Sequence, residues 1–258
     1  MTLLDRIALT RLVSQSFEHC LLTHLDHQPI DLQLARKQHA AYEHLLAEHG
    51  CQVLQLPEQP DMPDAVFIED TALVLDELAV ITRPGAAVRR LEVPSVMQAL
   101  GSYRGVFTID EPGTLEGGDI LRIGRTLYLG LSSRTNQEGI TQLEQLVAPF
   151  GYRIVTVPVV GCLHLKSAVT QVGENFLLLN PAWVDTSYFA GFQIVHVDPT
   201  EALAANALLI DETVIYPLSF PTTRNRLERS GILVQALDVS ELGKAEGGVT
   251  CCSLIFTV

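Results

Sequence analysis

Residues 70–84 read DTALVLDELAVITRP. Two β-rich runs flank the polar pair Asp76-Glu77, which is the pattern of a hairpin. The pattern recurs three more times along the chain. DILRIGRTLYLGL starts at Asp119 and turns at Gly124-Arg125; SAVTQVGENFLLLNP starts at Ser167 and turns at Gly173-Glu174. NALLIDETVIYPL starts at Asn206 and turns at Asp211-Glu212. The starts lie about 40 to 50 residues apart, a period typical of propellers and repeat arrays.

After the second and third hairpins a polar loop and a helical stretch are expected. In NQEGITQLEQLVAPFG, Ile140, Leu143, Leu146 and Val147 share one helical face, and Gly151 is placed to stop the helix. A short strand then closes each unit: RIVTVPV, FQIVHVD and ILVQALDV. A fifth unit is split between the chain ends. CSLIFTV (252–258) supplies one strand and DRIALTR (5–11) its partner; a helix follows with Asp31 as N-cap and Gly50 as stop, and CQVLQLP (51–57) closes the unit. The expected class is α/β: a ring of strand-strand-helix-strand units used about five times, with the N- and C-termini sharing one unit. A ring that closes on its own ends leaves few open sheet edges. An ordinary α/β sandwich decorated with hairpins is the competing architecture. In a ring, the polar residues that open each first strand converge on the axis: Asp70, Asp119, Ser167, Asn206 and one of Cys251 and Cys252. Such a gathering makes a concave polar site.

The chain has 258 residues, 47% of them hydrophobic, so it can bury a sizeable core. Its net charge of −13 speaks against nucleic-acid and anionic-membrane partners and is compatible with a cationic small molecule. No apolar run approaches the roughly 20 residues of a membrane helix. Five cysteines, an odd count, together with a start (MTLLDRIALT) that lacks a secretory pattern, lead us to expect reduced thiols and a cytoplasmic location.

Several residue types could carry chemistry. Asp64, Glu69, Asp70, Glu116 and Asp119 lie at or beside unit starts. Carboxylates gathered in one pocket repel unless a cation intervenes. The sequence has no HxxxH, HxH or CxxC, so a metal fits poorly; a guanidinium, with its planar fork of donors, fits better. His164, in GCLHLKS, precedes the third unit and is a candidate acid/base. His19, His24, His27, His39 and His44 read as a solvated face of the N-terminal helix region. Cys20, Cys51 and Cys162 read as buried packing thiols. Cys251 and Cys252 are adjacent, and alternation along a strand would admit only one of them to the site. Arg89 and Arg134 follow the first two hairpins and read as a clamp for a substrate carboxylate at the mouth of the site.

Four segments carry a family resemblance: residues 56–93 (LPEQPDMPDAVFIEDTALVLDELAVITRPGAAVRRLEV), 113–139 (GTLEGGDILRIGRTLYLGLSSRTNQEG), LHLKSAV and EGGVTCCSL. Together the chain resembles the dimethylarginine dimethylaminohydrolases, of the guanidino-group modifying superfamily that includes arginine deiminase and the amidinotransferases. The resemblance implies a five-bladed α/β propeller with a pseudo-fivefold repeat, and a single catalytic domain over residues 1–258. It implies Cys251 as nucleophile, His164 as general acid/base and Glu116 as the carboxylate that supports the histidine. Asp64, Glu69 and Asp70 would surround the guanidinium, Arg89 and Arg134 would hold the amino-acid carboxylate, and Leu22 would offer a backbone contact from an N-terminal lid. The implied partner is a small guanidino amino acid, with no metal or organic cofactor. A homodimer is one assembly compatible with these features.

Three other readings share the same residues: a related guanidine or ureido hydrolase, a non-catalytic guanidino amino-acid binder, and a redox sensor based on a vicinal disulfide.

Overall fold

The computed structural model describes residues 6–258. The stretch at 70–84 forms the hairpin β3 (Ala72–Val74) and β4 (Leu78–Ile81), with Ala72 opposite Ile81 and Leu73 opposite Val80. A third strand, β5 (Gly105–Thr108), lies parallel to β4. This three-stranded plan is used five times. The second sheet is β6 (Ile120–Ile123), β7 (Thr126–Leu131) and β8 (Arg153–Pro158); the third is β9 (Val169–Gly173), β10 (Phe176–Leu179) and β11 (Gln193–His196). The fourth is β12 (Leu208–Ile210), β13 (Thr213–Pro217) and β14 (Leu233–Leu237). The fifth joins the chain ends: β15 (Leu254–Thr257) pairs antiparallel with β1 (Arg6–Arg11), which pairs parallel with β2 (Cys51–Leu56). Asp5, the first residue of the expected DRIALTR strand, lies outside the described residues.

Between the second and third strands comes the helical element, because a parallel return needs a crossover. It is α1 (Leu32–Glu48) in the fifth sheet, α2 (Val93–Leu100) in the first, α3 (Gln137–Val147) in the second and α5 (Pro221–Arg229) in the fourth. The capping residues act as the sequence implies. Asp31 accepts from the backbone of Gln33 and Leu34, and Gly50 and Gly151 adopt the left-handed conformation that ends a helical segment. The third unit departs from expectation. Where a helix was expected it has only a 3-10 turn at Thr186–Phe189, and its hairpin turns at Glu174-Asn175 because Gly173 remains in the strand.

The helices act as wedges. Ile140, Leu143 and Val147 of α3 pack with Leu78 and Val80 of the first sheet and Leu127 and Leu129 of the second. Val96 and Leu100 of α2 do the same between the fifth and first sheets. Each of the five apolar clusters spans one junction between consecutive sheets, and one of them joins the fifth sheet to the first. Each buried Leu or Ile contributes about 1.5–3 kcal/mol. All five first strands line one cavity of about 290 Å³ at the centre.

Two shorter helices matter for the site. They are α4 (Leu165–Ala168), before β9, and α6 (Ser240–Lys244), before β15. His39 corrects the reading of a solvated histidine face. It is buried beside Tyr42 and Glu43 on α1, whereas His19, His24, His27 and His44 are exposed as expected. Its position on the apolar stripe of the helix outweighs its polarity. No helix among the described residues is long and apolar enough to cross a membrane.

Candidate active site

The residues that open the first strands make hydrogen bonds from one unit to the next. Gly118 donates its N–H to Asp70 Oδ1 (2.9 Å), and Leu165 donates to Asp119 Oδ1 (2.9 Å). Thr170 bonds Ala205 O (2.6 Å), Thr250 donates to Asn206 Oδ1 (3.1 Å), and Glu69 donates to Cys251 O (3.1 Å). This belt fixes the loops on which the reactive side chains stand.

One end of the belt holds a small pocket. Asp64, Asp70, Arg89, Arg134, His164, Glu246 and Cys251 are among its lining residues. Two 3-10 turns, Pro63–Val66 and Ile68–Thr71, deliver Asp64 and Asp70. His164 stands immediately before α4, whose first turn is held by the buried Asp119. Its Nε2–H donates to Glu116 Oε2 at 2.6 Å and lies 3.9 Å from Asp70 Oδ1. Glu116 is fully buried, and its other oxygen accepts the Gly85 N–H at 3.0 Å and faces Arg134 Nη1 at 3.5 Å.

The glycines of LEGGD are required by this packing. A Cβ at Gly117 would lie 1.9 Å from Glu69 O, and one at Gly118 would lie 2.6 Å from His164 Nδ1.

Electrostatics set two poised groups. Burial opposes an imidazolium at His164, but Asp70, the Glu116 hydrogen bond and Asp119 outweigh it and push its pKa up to about 9. Burial also opposes charge on Glu116 and Asp70. His164 nonetheless keeps Glu116 low, and His164 and Arg89 together hold Asp70 at about 2. The thiol of Cys251 moves the other way. Burial, then Glu69 and Asp70, push it up to about 12. The Gly248 N–H, 3.3 Å from Cys251 Sγ, and Lys166 work against that rise. Without a cation in the pocket the sulfur is a thiol. A cation there would favour the thiolate.

The cysteine pair is not on a strand. Both residues lie in the turn that precedes β15, so strand alternation does not separate them. The Gly247-Gly248 turn does. Cys251 N–H bonds Gly248 O, which leaves Cys251 half-buried in the pocket wall and Cys252 buried among Tyr42, Val249 and Leu242. All five cysteines are free, and burial raises Cys20 to about 11 and Cys162 to about 12.

Three expectations are corrected. Glu69 faces away from the pocket into the 290 Å³ cavity, bonded by Lys166 Nζ and Thr250 Oγ1, because adjacent residues of its 3-10 turn point to different sides of the belt. Arg89 lines the pocket but is not at its mouth. It is 4% exposed, and its guanidinium bonds Asp70 (2.5 Å), Glu92 (2.9 Å) and Phe67 O (3.0 Å). Leu21, not Leu22, lines the pocket and donates its N–H to Asp64 Oδ1 at 3.1 Å; Leu22 packs on the adjoining apolar cluster. The sequence reading also missed Glu246, the first residue of the EGGVTCCSL segment.

Asp70, Glu116 and His164 are the one group among the described residues whose ligand atoms could hold a metal ion, all lying within 4.8 Å of one another. A cation there would compete with the Arg89–Asp70 ion pair and with the proton between His164 and Glu116, so the donor set is already satisfied.

A thiol beside a histidine–carboxylate pair, in a pocket with further buried carboxylates, defines a site for nucleophilic catalysis by sulfur on a cationic substrate, carried on a mixed α/β scaffold. Comparison with known proteins agrees. The family model described as "N,N dimethylarginine dimethylhydrolase, eukaryotic" matches residues 20–188. An N(G),N(G)-dimethylarginine dimethylaminohydrolase of Streptomyces coelicolor is 39% identical over 249 residues, covering 96% of this chain and 95% of the relative. The same enzyme from Pseudomonas aeruginosa, solved as a cysteine-to-serine mutant with citrulline, superposes with a TM-score of 0.93 at 34% identity over 98% of this chain and 100% of that one. A dimethylarginine dimethylaminohydrolase solved as an adduct with S-methyl-L-thiocitrulline also gives 0.93, at 33% identity, with coverage of 98% and 100%. The chain belongs to the dimethylarginine dimethylaminohydrolase family.

Proposed function

We propose that this protein hydrolyses Nω-methylated arginine, asymmetric dimethylarginine or monomethylarginine, to citrulline and dimethylamine or methylamine. The observation that carries this is the pocket shared by Cys251, Asp70 and His164, with the His164 imidazole held from behind by Glu116 at 2.6 Å. Citrulline and thiocitrulline in the related structures agree with it.

The substrate guanidinium enters beside Asp64 and Asp70, and its charge helps Cys251 lose its proton. The thiolate attacks the guanidinium carbon. His164, protonated below about pH 9, donates its proton to the methylated nitrogen, and the amine departs as the C–N bond breaks. An S-alkylthiouronium remains on Cys251. The now neutral His164 takes a proton from water and the hydroxide adds to the same carbon; as the C–S bond breaks, the new hydroxyl gives up its proton to solvent, so that neutral citrulline leaves and the thiolate is regenerated. Glu116 holds the imidazole in register throughout both halves. Arg134 and Arg89 supply positive charge for the amino-acid carboxylate, with Arg89 also securing Asp70. Glu69 acts from behind the pocket, and the lid contributes through Leu21. This chemistry draws on no metal or organic cofactor.

In this reading the five sheets are the blades of a five-bladed propeller with pseudo-fivefold symmetry, and residues 1–258 act as a single catalytic domain. The five apolar junctions and the hydrogen-bonded belt support it. The partner is a small guanidino amino acid rather than a nucleic acid or a membrane. A free nucleophilic thiol suits a reducing, cytoplasmic setting.

The test is citrulline release from asymmetric dimethylarginine, monomethylarginine and arginine by pure protein. Wild type should act on the methylated substrates, and Cys251→Ser should not. No citrulline from wild type, or undiminished citrulline from the variant, would end this reading.

A further inference from the structure

One belt residue has no role in the steps above. Asn206 opens the fourth unit just before β12 and is buried. Its amide is fully committed. Nδ2 donates to Lys166 O (3.2 Å) and to Thr250 Oγ1 (3.0 Å), and Oδ1 accepts the Thr250 N–H (3.1 Å). Thr250 Oγ1 in turn donates its proton to Glu69 Oε2 at 2.9 Å. These bonds allow one orientation of the amide. Turned over, it would set its NH2 against the Thr250 N–H and its oxygen against Lys166 O.

The turn that Asn206 grips is the one that carries the nucleophile. Residues 248–251 close it through Cys251 N–H to Gly248 O (3.2 Å), and the Gly248 N–H points back at Cys251 Sγ (3.3 Å). Gly248 packs directly on the amide: a Cβ there would stand 2.4 Å from Asn206 Cγ and Oδ1. Apart from the cysteine pair, Asn206 is the one side chain among the described residues that hydrogen-bonds the backbone of 248–250. Its bond to Lys166 O reaches α4, whose N-cap is His164.

We infer that Asn206 is the positioning residue of the nucleophile. It fixes Gly248 and Thr250 relative to each other, so that the Gly248 N–H is aimed at Sγ, where a donor favours the thiolate over the thiol. It also ties this turn to the one that starts at His164, and so sets nucleophile and acid/base in register. The inference rests on the thiolate step proposed above. The donor is in place before substrate arrives, so it costs no reorganisation at the moment of attack.

Alkylation of the substrate-free enzyme by iodoacetamide, located by peptide mapping, reads the thiolate without turnover. Asn206→Ala removes the whole grip. Thr250→Val keeps the buried shape and the backbone bond but loses the hydroxyl. Loss of a hydrogen bond to a charged sulfur raises the thiol by about one to two units, which the greater reactivity of a more basic thiolate offsets in part. In Asn206→Ala, Cys251 labelling should slow by about threefold to tenfold, and in Thr250→Val by about twofold to threefold. With dimethylarginine, kcat of Asn206→Ala should fall by a similar factor while KM stays within about twofold, since Asp64, Asp70 and Arg134 keep their places. A merely structural Asn206 would instead loosen the turn and leave Cys251, with Cys252 beside it, labelled at least as fast as in wild type. Labelling of Cys251 at the wild-type rate or above overturns the inference, whether in a folded Asn206→Ala or, if that variant does not fold, in Thr250→Val. A wild type inactive on dimethylarginine overturns the substrate reading instead, and the labelling rates still decide the role of Asn206.

Discussion

Replacing Glu116 by Gln tests the proton logic of the site. Both Glu116 oxygens work: Oε2 accepts from His164 at 2.6 Å and Oε1 from Gly85 N–H at 3.0 Å. Gln has the same shape but one acceptor and one donor. If its oxygen turns to His164, its amide opposes the Gly85 N–H. If its oxygen stays with Gly85, its amide faces Nε2 and the imidazole must be neutral there. Either arrangement disfavours the imidazolium. A charge-assisted hydrogen bond contributes about 1.5–3 kcal/mol, equivalent to roughly one to two pKa units. The His164 pKa should then fall from about 9 toward the neutral range. The assay is citrulline release against pH. In wild type the rate should fall on the alkaline side as His164 loses its proton near pH 9; in Glu116→Gln that limb should move down by roughly one to two units, with kcat lower by on the order of a hundredfold at neutral pH. An alkaline limb that stays in place in the variant would refute the assignment of His164 as the proton donor held by Glu116.

Three more outcomes follow from the packing. Gly118→Ala should abolish most activity, since its Cβ would stand 2.6 Å from His164 Nδ1 and 2.8 Å from Asp70 Oδ1; retained turnover would show that the histidine position is not critical. Lys166→Met should leave Glu69 buried and unpaired and lower unfolding stability by about 3–5 kcal/mol in urea titration, whereas a loss below about 1 kcal/mol would place Glu69 in contact with water. Asp70 has a lowered pKa, about 2, so the stability it contributes is complete above about pH 4 and is lost as the pH falls toward 2. Asp70→Asn should flatten that part of the stability–pH curve, and an unchanged slope would contradict the pairing with Arg89.

The sheet plan was legible because period-2 runs broken by polar turns are a local signal. Asp31, Gly50 and Gly151 announced helix ends for the same reason. The belt residues Asp70, Asp119 and Asn206 were also visible, through recurrence at unit starts. What the sequence did not carry is direction. Glu69 and Asp70 are neighbours in the chain, yet one faces the central cavity and the other the pocket, because a 3-10 turn separates them. Cys251 and Cys252 were thought to be parted by strand alternation and are parted by a glycine turn instead. Arg89 looked like a surface clamp, but its partners Asp70 and Glu92 bury it. His39 shows the same limit, since helical position decided its burial. Glu246 left no periodic signal at all, and its contacts are with residues more than 200 positions away.

The central claim is that Cys251 forms the covalent intermediate while Cys252 only packs. Its most direct measurement is the mass of the adduct left by an electrophilic amidine, located by peptide mapping. The account predicts one adduct, on Cys251, that is lost in Cys251→Ser and in His164→Gly forms at an altered rate on the same sulfur. An adduct on Cys252, or labelling that persists in Cys251→Ser, would contradict it.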